Sequence, residues 1–186
     1  MLSKIFQERL RALPQYSENA FEALQVQFFK LFMNGTYRFQ TLTEARQLAF
    51  FLSYLCPEPP RVAVGLVELF VNAIEHGNLG ITYEEKHLFV SEENWLNEIE
   101  NRMNASHNRH KYVEVYVSKE SDQVKFTIQD QGIGFDWETF MQDEVESSTY
   151  KHGRGILLAK LVSFDNLYYT QPGNVVTGIV KLINQA

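Results

Sequence analysis

Residues 66–78 read LVELFVNAIEHGN, a stretch with the apolar density of a core helix that nevertheless carries Glu68, Asn72, Glu75 and His76. Positions 68, 72 and 76 are spaced i, i+4, i+8, which keeps their side chains on one stripe of a helix. Val62, Leu66, Leu69 and Ala73 form the opposite stripe and are expected to face the core. Burying an unpaired carboxylate costs several kcal/mol, so a polar stripe on such a helix is expected to meet ligand, metal or water, or else plain solvent.

Outward from this helix, predicted from about Pro60 to His76, the chain changes character twice. Before it, helical spacing predicts helices over Leu2–Leu13 and Ser17–Met33, the second stopped by Asn34-Gly35. Its stripe Phe21, Leu24, Phe28 and Leu31 fits either internal packing or a dimer or partner surface. A short strand over Tyr37–Thr41 follows, then a helix from Thr43 to about Leu55, closed by Cys-Pro-Glu-Pro-Pro. After the helix comes a polar segment, Leu79–His110, long for a connection within one domain, in which Thr82 with Glu85 has the form of a capping box and Ser91 fits the cap of a helix ending near Met103. It reads either as an insertion packed on the edge or as a mobile loop.

From Lys111 the period becomes two. Val113, Val115 and Val117 alternate with Tyr112, Glu114 and Tyr116, and after KESD the residues Val124, Phe126 and Ile128 alternate with Lys125, Thr127 and Gln129. That pattern is an antiparallel hairpin. A buried helix over Ile156–Val162 and a second hairpin, Leu167–Thr170 with Val175–Ile183 around Gln-Pro-Gly-Asn, complete the chain. Helices followed by mostly antiparallel strands predict an α+β two-layer sandwich with helices on one face and an N-terminal helical extension. The boundaries expected are 1–35 for the extension and 36–186 for the main domain, with 79–110 inserted.

Two glycine motifs accompany the polar helix. Asp130-Gln-Gly132-Ile-Gly134 begins where a strand ends, so its carboxylate can accept a hydrogen bond from a base amino group while the glycines allow φ > 0 and close approach of a ligand. Gly153-Arg154-Gly155 opens the helix at Ile156, where free N–H groups and the helix dipole favour a phosphate. Taken singly, the first motif fits a plain Gly-rich turn equally, and the second fits glycines easing a loop into a helix.

Composition narrows the partners. A net charge of -6 without clustered Lys or Arg argues against nonspecific binding to nucleic acid or a membrane surface. The lone Cys56, the absence of a secretory h-region at the N-terminus and the shortness of the longest apolar run, Leu48–Cys56, predict a soluble cytoplasmic protein. A protein or a small ligand is the expected partner.

An E-x-x-x-N helix, a strand ending in D-x-G-x-G, then a polar loop and G-x-G opening a helix resemble, in order and spacing, the GHKL (Bergerat-fold) ATPases of the gyrase, histidine-kinase and MutL type, over roughly Phe39–Ile183. The resemblance implies ATP and Mg²⁺ as ligands. It implies Asn72 as the Mg²⁺ ligand, Glu68 as general base, and Asp130 as the adenine-binding residue with Gly132 and Gly134 in the adjacent turn. Gly153, Arg154 and Gly155 would form the phosphate-side box, and residues 136–152 a lid over the nucleotide. His76 fits a structural duty near the helix end better than a catalytic one.

No His precedes His76, which removes the phosphoacceptor of a histidine kinase. What remains is similar to the anti-sigma-factor serine kinases of bacterial partner-switching systems. That similarity implies phosphorylation of a Ser on a small antagonist of the STAS type, with a sigma factor as a further partner, while the N-terminal stripe leaves a homodimer open. The alternative is a nucleotide-responsive binding module without phosphotransfer, and the insertion and N-terminal extension put the sigma-factor partner in doubt.

Overall fold

The β-strand period sets the frame. In the computed structural model, which describes residues 34–88, 92–138 and 154–182, five strands form one sheet: β1 (Asn34–Phe39), β2 (Val113–Lys119), β3 (Gln123–Gln129), β4 (Asn166–Thr170) and β5 (Val175–Lys181). Their spatial order is β1-β2-β3-β5-β4 and every pairing is antiparallel. Val113, Val115 and Val117 of β2 and Val124, Phe126 and Ile128 of β3 are all buried, as alternation requires of a sheet with one covered face. On the other face a row of residues in register, Thr36, Tyr116, Thr127, Thr177 and Tyr168, crosses all five strands, with the Thr127 and Thr177 hydroxyls 3.2 Å apart.

The covering helices are α1 (Leu42–Ser53), α2 (Pro59–Asn72) and α5 (Arg154–Leu158), and between α2 and β2 lie α3 (Tyr83–Leu88) and α4 (Glu92–Asn104). Helix α1 begins one residue earlier than its pattern suggested, because Thr41 caps it: the Glu44 N–H donates to Thr41 Oγ1 at 3.2 Å, and the Thr41 N–H to Glu44 Oε2 at 3.0 Å. The first strand starts at Asn34, three residues before its expected beginning at Tyr37, with Asn34 and Gly35 paired to Ser118 and Val117.

Helix α2 is the spine of the layer. Val62, Leu66, Leu69 and Phe70 are 1% exposed or less, and the Phe70 ring lies 4.8 Å from that of Phe39 on β1. Gly65 has no side chain because Ser163 occupies the space: a Cβ there would sit 2.3 Å from Ser163 Cβ. Both α2 and α5 continue into π-helical turns, Ala73–Asn78 and Ala159–Ser163.

The described residues of segment 79–110, the expected insertion, are held by side-chain contacts. The Thr82–Glu85 capping box forms, with reciprocal bonds of 3.2 and 2.8 Å. Glu85 also receives Arg102 at 2.7 Å, Arg102 in turn holds Glu98, and Ile99 is buried at 3% exposure. The expected N-terminal helices, the Ser91 cap and residues 139–153 lie outside the described residues. Among the described residues no helix is long and apolar enough to cross a membrane.

Candidate functional site

With Leu66 and Leu69 committed to the core, the opposite stripe of α2 leaves Glu68 and Asn72 half-buried at the layer's surface. Past Asn72 the helix widens into a π turn, Ala73–Asn78, with one more residue in each hydrogen-bonded circuit. His76 Nδ1 bonds the Ile81 carbonyl, and burial lowers the imidazole pKa below its ordinary value, which favours the neutral ring. That agrees with a structural duty for His76.

Gly77 and Asn78, the end of the same turn, meet the D-x-G-x-G loop. A Cβ on Gly77 would lie 2.3 Å from Asp130 Cγ, so only a bare Cα leaves the carboxyl room. Asn78, 4% exposed, accepts the Gln131 N–H on Oδ1 at 2.7 Å, and its carbonyl accepts from Lys111 Nζ at 2.7 Å. Asp130 is fixed from three sides: its N–H donates to the Asn174 carbonyl, its carbonyl accepts from Asn174 Nδ2, and Oδ1 accepts the Gly132 N–H at 2.8 Å. Burial pushes the Asp130 carboxyl up to about 6, against the opposing pull of the Gly132 N–H and, more weakly, Lys111.

The two glycines of that loop have different reasons. Gly134 takes φ +81°, the left-handed region expected of it. Gly132, expected to do the same, has no positive φ; its small size is required because a Cβ would fall 2.3 Å from the Gly77 carbonyl oxygen. Gly134 and Gly173 also meet backbone, since a Cβ on the first would lie 2.2 Å from the Pro172 oxygen and on the second 2.3 Å from the Phe135 oxygen.

These parts enclose a cavity of about 590 Å³ whose wall includes Asn72, Gly77, Asp130, Gly132 and Gly134 with Leu69, Ile128, Ile156 and Val176. Small-molecule sites are of this size, mostly apolar with a few fixed polar groups. A planar base fits such walls, with a carboxylate on the floor to accept its amino group. Asn72, Asp130, Gly132 and Gly134 are thus brought together as expected. Glu68 and Gly155 are not on the cavity wall. They meet in an adjoining groove lined by Leu157, Leu158, Leu161 and Val162, where a Cβ on Gly155 would be 2.4 Å from Glu68 Oε2 and 3.7 Å from Asn72 Nδ2. Asn72 therefore stands between cavity and groove. Gly153 and the Arg154 side chain lie outside the described residues.

Gly77, Asn78, Lys111 and Asn174 were missed as site residues. The His-Gly-Asn ending of the quoted stretch was a signal for the first two; Lys111 and Asn174 each place a side-chain donor on a backbone carbonyl, of Asn78 and Asp130, and a contact to main chain leaves no sequence motif. The insertion also reaches the wall through Thr82, Glu84, His107 and Asn108. Among the described residues no group of three His, Cys, Asp or Glu is placed to hold a metal ion.

An antiparallel sheet covered by helices on one face, with a base-sized cavity between the helix carrying Asn72 and the loop after Asp130, defines a nucleotide-binding α+β sandwich. The model of the histidine kinase-like ATPase domain matches residues 40–179, well over half of the chain, and the protein belongs to that family, within the GHKL superfamily. Membership implies ATP binding and a regulatory role. No curated protein matches the chain.

Proposed function

We propose that the protein is an ATP-dependent serine kinase of the anti-sigma-factor type, acting in the cytoplasm on a small STAS-type antagonist and exchanging protein partners with its nucleotide state. The observation that carries this reading is the junction at Asn72: the nucleotide cavity lies on one side and the Glu68 carboxylate on the other, beside Gly155.

In this reading Asp130 accepts the adenine amino group, and Leu69, Ile128 and Val176 exclude water from the base. Asn72 would hold Mg²⁺ together with phosphate oxygens, in keeping with a hard cation that uses few protein ligands and neutralises phosphate charge when bound. The groove beside Glu68 would admit a serine-bearing segment of the partner. As the serine oxygen bonds to the γ-phosphorus, its proton passes to Glu68, the bond to the β,γ-bridging oxygen breaks, and ADP leaves. Positioning and charge neutralisation supply most of the acceleration in phosphoryl transfer, so few residues suffice.

A second reading, a nucleotide-responsive binding module without phosphotransfer, is favoured by the same Glu68, which sits off the cavity wall and against Gly155. Calorimetric titration with ATP and ADP, with and without Mg²⁺, tests the site, and Asn72→Ala is expected to abolish the Mg²⁺-dependent part. Phosphate transfer from labelled ATP to a serine-bearing antagonist then separates the two readings. Glu68→Ala is expected to bind ATP and transfer nothing; transfer at the wild-type rate would remove Glu68 as base.

A further inference from the structure

The turn that floors the cavity is also where the insertion is fastened. Glu75 lies within Ala73–Asn78 and is 1% exposed. A buried carboxylate demands partners. Those of Glu75 come from the insertion: Lys86 Nζ of α3 at 2.6 Å from Oε2, and the side chain of Trp95 on α4, which hydrogen-bonds the carboxyl. Lys86 Nζ also stands 4.8 Å from the centre of the Trp95 ring. The backbone repeats the attachment, since the Ile81 N–H donates to the Glu75 carbonyl at 2.9 Å and the Ile81 carbonyl takes His76 Nδ1.

Two residues further on, Gly77 backs the Asp130 carboxyl and Asn78 holds the Gln131 N–H. Contacts to segment 79–110 and contacts to the Asp130 loop thus share one six-residue turn, Ala73–Asn78. We propose that Glu75, clamped by Lys86, is a positioning residue for the nucleotide-binding turn, and that the insertion 79–110 thereby senses whether the cavity is occupied. The proposal rests on the nucleotide-binding reading of the cavity. Coupling of this kind is reciprocal: whatever holds Glu75 favours nucleotide, and nucleotide tightens the hold on the insertion.

Trp95 supplies a reporter. It is one of two tryptophans, the other being Trp137, and it does not line the cavity. In a Trp137→Phe reference protein, ATP and ADP with Mg²⁺ are titrated while Trp95 emission and binding heat are followed, with melting temperature recorded for each variant. The expected result is a Trp95 change that saturates at the calorimetric Kd. Added to this reference, Lys86→Met and Glu75→Gln are expected to weaken binding roughly tenfold and to suppress the Trp95 response, with Lys86→Arg restoring both. Nucleotide heat with no change at Trp95, or full affinity in folded Lys86→Met, would overturn the sensing role while leaving the nucleotide site intact. Absence of nucleotide heat in the reference and in wild type would overturn the cavity reading, and the proposal with it.

Discussion

Lowering the pH through 6 is expected to switch off nucleotide binding through a single residue, Asp130. Burial raises its carboxyl pKa from 3.8 to about 6. At ~1.4 kcal/mol per pH unit, ionising Asp130 in the empty folded protein costs about 3 kcal/mol, an upper value because the group faces an open cavity. The sign follows from linkage. A carboxyl whose pKa is raised by folding contributes stability that is fully present below 3.8 and lost as pH rises through about 6. The empty protein therefore carries this penalty at neutral pH, and a ligand amino group that hydrogen-bonds the ionised carboxylate offsets it.

ATP affinity is expected to be flat above pH 7 and to fall roughly tenfold per pH unit below 6, with a proton released on binding in that lower range. Calorimetry in two buffers of different ionisation heat measures both. The nucleotide titrates as well, so Asp130→Asn provides the reference: it keeps an acceptor for the Gly132 N–H, presents a donor where the base amino group needs an acceptor, and has no carboxyl to ionise. It should bind weakly at all pH values and, unliganded at pH 7.5, be more stable than wild type by up to about 3 kcal/mol. Identical pH profiles for wild type and Asp130→Asn would refute the assignment of Asp130 to the base.

Two substitutions test the packing behind the site. Gly77→Ala puts a Cβ 2.3 Å from Asp130 Cγ, so the carboxyl must move; ATP affinity by calorimetry should drop at least tenfold while urea unfolding shows a loss of about 1–3 kcal/mol, the usual cost of overpacking. Leu66→Ala, at a position with no exposure, should cost about 2–5 kcal/mol in the same unfolding assay, and a loss under 1 kcal/mol would contradict the role of α2 as the spine.

The parts of this architecture that were legible in the sequence are those written as side-chain periods. Alternating Val113–Val117 and Val124–Ile128 gave the central hairpin, and the two stripes of α2 separated core from site. Thr82 and Glu85 announced their cap, and Asp130 its place at a strand end. Features made by backbone geometry were not legible. A π turn leaves the apolar pattern of 73–78 and 159–163 unchanged, so the widened turns there could not be foreseen. Gly132 looked like a hinge and is a spacer, because sequence does not reveal that the Gly77 carbonyl sits against it. Likewise, helical spacing put Glu68 and Asn72 on one stripe but could not tell that Glu68 would lie beside Gly155, off the cavity wall.

The paired contact of Gly134 with Pro172 and of Gly173 with Phe135 has a bearing on how this site can diversify. Each missing side chain faces main chain, which cannot rotate out of the way as a side chain would, and each glycine also has a positive φ. Neither position can compensate for a change at the other, so this corner is closed to gradual drift. Relatives that depart from this pattern would have to rebuild the loop and the β4–β5 turn together, and new ligand preferences are more readily acquired across the cavity, where Thr82, Glu84 and His107 present exchangeable side chains.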